Sequence, residues 1–266
     1  MEKDPRKPVR GTAEWAVATV DCGIGCPHGC RYCYARSKLV DRLGLVSPAA
    51  WSTFRVDAEA VQREYPLYPG QVMFPAHHDI VPDNLAACHA VLVNLLAAGN
   101  RVLVVSKAHL RCIEALCREL RRFRRQILFR FTITARDDRI LSFWEPQAPA
   151  YAERRACLAL AIGQGFATSV SVEPMLDAGD VVAMVHDLLP LVSHSIWIGK
   201  MNRIGKRVVS DSLEMAREID RIEVEQDDAH IREIYRHLRD LPVVRWKESI
   251  KTVIGLAPAA EPGLDI

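Results

Sequence analysis

Short apolar runs with few polar interruptions alternate along this chain with longer stretches whose apolar residues recur every three or four positions. The runs Ala16–Val20, Gln71–Phe74, Arg101–Val105, Ile127–Thr134, Ala167–Val172, Ser195–Ile198 and Pro242–Arg245 predict about seven strands. Near-continuous apolar strands are what a sheet covered on both faces requires. The clearest helix takes Asp83 or Asn84 as its N-cap, sets Leu85, Cys88, Leu92, Leu95 and Leu96 on one stripe and stops at Gly99. Similar patterns predict helices at about 35–43, 57–65, 109–122, 151–163, 178–188, 211–220 and 228–239. The repeated βα order predicts an α/β fold, a partial (βα)6 TIM-type barrel with parallel strands over residues 11–254. A flexible arm, 1–10, and a flexible tail, 255–266, are expected on either side of it. In such a barrel the chemistry gathers at the C-terminal ends of the strands, which directs attention to the residues just after each run.

Composition narrows the class without naming it. With 266 residues, 49% hydrophobic and 26% charged, the chain has the make-up of a packed protein and not of a disordered one. A formal net charge of +2 gives no global signature of a nucleic-acid binder and leaves only a local basic patch open. The polar start, and the lack of any apolar run near the ~18 residues of a membrane span, predict a cytoplasmic protein without membrane association. Eight cysteines in that setting suggest reduced thiols, metal ligands or catalysis in preference to a disulfide framework.

Half of those cysteines fall directly after the first strand, in Asp21-Cys22-Gly23-Ile24-Gly25-Cys26-Pro27-His28-Gly29-Cys30-Arg31-Tyr32-Cys33. Cys26, Cys30 and Cys33 have C-x3-C-x2-C spacing, so three thiolates can converge from one glycine-rich loop. A [4Fe–4S] cube held by three cysteines keeps one iron open for a non-protein ligand. The competing readings are a zinc site with His28 as fourth ligand, or three unrelated buried cysteines. Cys88, Cys112, Cys117 and Cys157 lie in helical segments. They read as core residues, with a second cluster at Cys112 and Cys117 as the alternative.

The loop resembles the signature of the radical S-adenosylmethionine (SAM) superfamily, C-x3-C-x-aromatic-C after the first strand of a partial barrel, with Tyr32 in the aromatic place. Beyond the loop the chain is similar to the spore photoproduct lyase-like branch. The carrying segments are Asp79-Ile80-Val81, Val104-Val105-Ser106-Lys107, Arg130 to Thr134, and Glu145-Pro146-Gln147-Ala148-Pro149 with Arg154 downstream, so the likeness spans roughly 15–200. It implies a [4Fe–4S] cluster and SAM as cofactors, an electron donor of the flavodoxin or ferredoxin type, and hydrogen abstraction by a 5′-deoxyadenosyl radical. It makes Tyr32, Lys107 and Thr132 cofactor-binding candidates, the last two for the SAM carboxylate. Read without it, Lys107 is a surface lysine and Thr132 a strand residue. Glu173, at a strand end before Pro174, joins the same set, with a structural carboxylate as its alternative.

Two departures matter. The Gly-Gly-Glu-like segment that many superfamily members carry after strand two is absent, and Ala76 stands where the lyase has its hydrogen-donating cysteine. Alanine has no hydrogen to give in that way, so the lyase's own reaction does not transfer. His77 and His78, next to it, are candidates for catalytic proton transfer or anion binding; adjacent strand-end residues point apart, so one of them is expected to face the site. A nucleic acid or nucleotide is the substrate class that the branch implies, with a peptide or small natural product as a second reading. A non-catalytic Fe–S or zinc protein is the third. The basic run Arg118 to Arg125 around Phe123 is a phosphate-contact candidate or a solvated helix end. Trp144, Trp197 and Trp246 are stacking or core residues, and Lys200 to Arg203 a cavity-lining segment or an ordinary loop.

Overall fold

The computed structural model describes residues 9–263. Its strands are β1 (Ala18–Thr19), β2 (Gly23–Ile24), β3 (Arg55–Val56), β4 (Val72–Phe74), β5 (Val102–Ser106), β6 (Ile127–Thr132), β7 (Ala167–Val172), β8 (Ser195–Ile198) and β9 (Val244–Trp246). Seven of them form one all-parallel sheet in the order β1-β4-β5-β6-β7-β8-β9, and β2 pairs antiparallel with β3 in a separate hairpin. Neighbours in the sheet are also successive along the chain, so the sheet winds in one direction as a partial barrel does. Each of the seven expected runs contains or overlaps one of these strands. The helix Glu248–Ile254 after β9 adds a seventh βα unit to the six expected.

Alternation along the strands separates two apolar layers. Val72, Phe74, Val102, Val104, Phe129, Phe131, Val170, Val172, Ile196 and Ile198 join the helix-facing core with the stripe Cys88, Val91, Leu92, Leu95 and Leu96. Met73, Leu103, Leu128 and Trp197 face the other way and enclose Trp15 inside the barrel. That inner layer turns polar along β6, β7 and β8. Arg130 is fully buried there, donates to Ser169 at 2.9 Å, and lies 4.6 Å from the Trp15 ring and 5.4 Å from that of Trp197.

The helix Tyr151–Gly163 has the bounds that its periodicity predicts. Asp138–Trp144 is a helix that the pattern did not reveal, capped by Asp137 through the Arg139 N–H. Among the described residues no helix is long and apolar enough to cross a membrane. Residues 1–8 of the expected arm and 264–266 of the expected tail lie outside the described residues. Arg10 pairs with Glu248 at 3.0 Å, and the Gly263 N–H donates to the Ala13 carbonyl at 2.8 Å.

Candidate functional site

A cavity of about 540 Å3 opens at the C-terminal ends of the strands, within the size range of small-molecule sites. Cys26, Cys30 and Cys33 line it together with Tyr32, His77, Lys107, Thr132 and Glu173; His78 borders it, but its ring is enclosed in the core, which removes it from the catalytic candidates.

Glycines let the cysteine loop lie flat on the β2–β3 hairpin. Gly25 has φ +107°, and a Cβ there would stand 2.4 Å from the Thr53 carbonyl oxygen; at Gly23 a Cβ would meet that of Arg55 at 2.3 Å. The loop is pinned by Cys26 N–H to the Trp51 carbonyl at 2.8 Å, Arg31 N–H to that of Trp144 at 2.9 Å, and Gln147 N–H to that of His28 at 3.1 Å. Burial pushes the Cys26 thiol up to about 12, and also raises those of Cys30 and Cys33. All three therefore keep their protons until a cation arrives to stabilise the thiolates.

Tyr32 turns its phenol away from the cysteines and donates to Glu145 Oε1. Glu145 also accepts from Thr134 Oγ1 at 3.0 Å and pairs with Arg154, whose other nitrogens donate to the Pro149 carbonyl at 2.7 Å and the Thr132 carbonyl at 3.1 Å. Both side chains of the pair are fully enclosed. The Glu-Pro-x-Ala-Pro segment and its downstream arginine thus tie the cysteine loop to the end of β6.

Lys107 Nζ lies 5.7 Å from the Tyr32 ring centroid, and among the described residues no carboxylate comes within ion-pair distance of it. Burial works to lower its pKa, but the surrounding Cys30, Glu145 and Asp79 charges outweigh that and raise it, so it stays an ammonium. Asp79 accepts from the Lys107 backbone N–H at 3.0 Å, from Ser106 Oγ at 2.5 Å and from the Ile80 N–H at 2.7 Å. Burial would raise its carboxyl, yet His28, Lys107 and Ser106 hold it below the usual carboxylate range. His28 in turn meets His109 at 2.9 Å between Nε2 atoms.

The two adjacent histidines separate as expected. His77 is part-exposed, bonded through Nδ1 to Asp21 Oδ2 at 2.7 Å and through Nε2 to the Lys38 ammonium at 2.9 Å. The ring of His78 is fully enclosed between Phe54 and Phe74, with Nδ1 on the Asp79 carbonyl at 3.0 Å. Asp21 orders this strand end further by accepting from the Ala76 and His77 N–H groups at 2.7 and 2.8 Å.

On the opposite wall, Glu173 Oε2 stands 3.3 Å from Lys247 Nζ, which also pairs with Glu14 at 2.8 Å, donates to the Gly11 carbonyl at 2.8 Å and lies 4.0 Å from the Trp15 ring. Gly199 is needed there, because a Cβ would come within 2.8 Å of the Lys247 side chain and 3.1 Å of Glu173. Sequence reading missed Glu14, Trp15 and Lys247, which come from opposite ends of the chain. Lys200, Met201, Asn202, Arg203 and Arg207 line the same side of the cavity, with Arg203 held at φ +59°. The basic run Arg118 to Arg125 is elsewhere: it precedes β6, and therefore lies at the N-terminal ends of the strands, away from the cavity. Trp144 is enclosed core beside Tyr32.

No protein-family model matches the chain, and no curated protein sequence does. Solved structures do match in fold. Spore photoproduct lyase complexed with dinucleoside spore photoproduct aligns with a TM-score of 0.56 and 14% identity over 86% of this chain and 75% of that one. Streptococcus suis SuiB bound to precursor peptide SuiA gives 0.57 and 9% over 91% of this chain and 51% of that one. SuiB bound to S-adenosylmethionine gives 0.52 and 9% over 88% and 47%, so this chain spans about half of SuiB. The fold that the radical SAM resemblance implies is the one found: this chain is built on the partial barrel that spore photoproduct lyase and SuiB share.

Proposed function

We propose that the protein is a radical SAM enzyme that holds a [4Fe–4S] cluster on Cys26, Cys30 and Cys33, binds SAM beside it, and abstracts hydrogen from an anionic substrate of the nucleotide or nucleic-acid class. The observation that carries this reading is the meeting of three half-buried thiols and one half-buried ammonium, Lys107, in a single cavity at the strand ends. The C-x3-C-x2-C spacing, with a single C-x2-C unit where zinc sites often pair two, favours a cluster over one zinc ion.

A cluster held on Cys26, Cys30 and Cys33, and reduced by a flavodoxin- or ferredoxin-type donor, would supply the electron for reductive cleavage of SAM. The chain's own residues bind and orient. Lys107 offers a charge-assisted hydrogen bond to a carboxylate, with the Thr132 hydroxyl at the neighbouring strand end. Glu173, on the other wall, offers an acceptor for an amino group, held in place by Lys247. His77, its ring fixed by Asp21 and Lys38, is a proton-transfer candidate beside Ala76, where the Tyr34 hydroxyl also donates to the Ala76 carbonyl. Lys200, Arg203 and Arg207 give the substrate side a cationic wall suited to phosphate.

The test is anaerobic reconstitution with iron and sulfide, reduction in the presence of SAM, and chromatographic detection of 5′-deoxyadenosine with and without oligonucleotides. Formation that oligonucleotides accelerate, and that salt suppresses, supports the reading; an assembled and reducible cluster that leaves SAM intact refutes the enzyme assignment. Acceleration by peptides instead would move the substrate to the class that SuiB binds. Lys107→Met is expected to weaken SAM binding by about tenfold or more, the size of one lost charge-assisted hydrogen bond, with iron content unchanged. Equal affinities in equilibrium dialysis would remove Lys107 from the cofactor site.

A further inference from the structure

A second group of soft donors lies behind the cavity wall. Cys22 follows β1, His78 follows β4 and Cys88 belongs to the helix Leu85–Ala97, and the three side chains converge in the helix-facing core. Among the described residues this is the one set of three or more His, Cys, Asp or Glu side chains whose ligand atoms all lie within 4.8 Å of one another. Cys22 Sγ is 3.5 Å from Cys88 Sγ and 3.5 Å from His78 Nε2. Two thiolates and an imidazole on one tetrahedral ion, with bonds of about 2.3 Å to sulfur and 2.0–2.1 Å to nitrogen, would stand about 3.8 Å apart for the sulfurs and about 3.5 Å for sulfur and nitrogen.

The imidazole is also oriented as a ligand. His78 Nδ1 bonds to the Asp79 carbonyl at 3.0 Å, the outer contact that usually fixes a metal-binding histidine and aims its other nitrogen at the ion. Phenyl rings on two sides hold that aim, with the Phe54 and Phe74 centroids 4.8 and 6.0 Å away. Nε2 meets the Cys22 N–H at 3.2 Å, a contact that a metal bond would replace, with the Cys22 sulfur at 3.5 Å and Asp21 Oδ1 at 3.8 Å. Asp21 is already committed to Ala76 and His77, so the donor set is two sulfurs and one nitrogen.

We infer that Cys22, His78 and Cys88 form a structural site for one soft closed-shell cation, Zn2+ or Cu+, separate from the cluster loop. Two thiolates and one imidazole, all three enclosed, match that class of ion and not Mg2+ or Ca2+. The site fastens the segment after β1, which leads into the cysteine loop, to the end of β4 and to the helix that follows β4. It would be filled as the chain folds, since all three donors are enclosed.

The test uses the full-length protein with its iron–sulfur loop reconstituted, so that Cys26, Cys30 and Cys33 are occupied. After exposure to Zn2+ or to Cu+ under anaerobic conditions and dialysis, plasma mass spectrometry should find about one equivalent of one of these metals per chain, and Cys22→Ser and Cys88→Ser should each lower it at least about tenfold with iron unchanged. Should the variants fail to fold, X-ray absorption at the zinc or copper edge of the unmutated protein decides, with two sulfur and one nitrogen scatterers expected. No retained zinc or copper, retention that both variants leave intact, or a Cys22–Cys88 disulfide found by mass spectrometry in anaerobically prepared protein would overturn the inference.

Discussion

Replacing Cys30 with alanine is expected to abolish the broad visible absorption of the reconstituted protein and to lower its iron from about four per chain to background, while the circular dichroism spectrum keeps its α/β form. The three thiols line one cavity, and burial holds each of them protonated in the empty protein. Bonds to a metal would compensate the cost of gathering three thiolates in one place, and the spacing favours iron. With Cys30 gone, two irons would lack a protein ligand, on a loop whose remaining sulfurs are Cys26 and Cys33. Cys22→Ser is the matched control: it removes a neighbouring cysteine from the same stretch of sequence and leaves the cluster loop complete. Visible absorption and iron counts that fall equally in the two variants, or that survive in Cys30→Ala, would remove the ligand assignment.

How far such a site can be read without coordinates depends on where its parts lie along the chain. The cysteine loop is local, thirteen residues from Asp21 to Cys33, and glycine placement alone shows that it must bend. The seven parallel strands announce themselves because burial on both faces demands uninterrupted apolar runs. The hairpin of β2 and β3 does not, for each strand has two residues and neither is fully buried. Its close pairing is nonetheless what Gly23, in β2, permits against Arg55, and Gly25 lies as close to Thr53 just before β3. Lys247 and the Gly11 carbonyl, 236 positions apart, form one wall of the cavity with nothing in either segment to predict the pairing. Tyr32 illustrates a further limit. Its place in the signature marks it as important, but only the fold shows that its phenol binds Glu145 and that its role at the cavity is exercised through that network.

That network carries the largest expected effect on stability. Glu145→Gln keeps the size of the side chain and an acceptor for the Tyr32 hydroxyl, but leaves the Arg154 guanidinium, fully enclosed, with two carbonyls and no counter-charge. Removing one partner of a buried ion pair typically costs about 3–5 kcal/mol, because the other charge stays desolvated. Glu145→Leu combined with Arg154→Met should recover part of that loss, since neither member of the pair then remains as an uncompensated charge. The pH dependence gives an independent check. Burial alone would raise the Glu145 carboxyl above its ordinary 4.5, but Arg154 and then Lys107 outweigh burial and hold it below that value. A carboxyl depressed in the folded state contributes stability above its unfolded pKa, near pH 4.5, and loses that contribution as pH falls through the folded pKa. Urea unfolding of the native protein should therefore weaken on this account below about pH 4.5, and Glu145→Gln should flatten that part of the profile while lowering the plateau at neutral pH. A Glu145→Gln variant within about 1 kcal/mol of the native protein at pH 7 would mean that the buried pair does not secure the end of β6 to the cysteine loop.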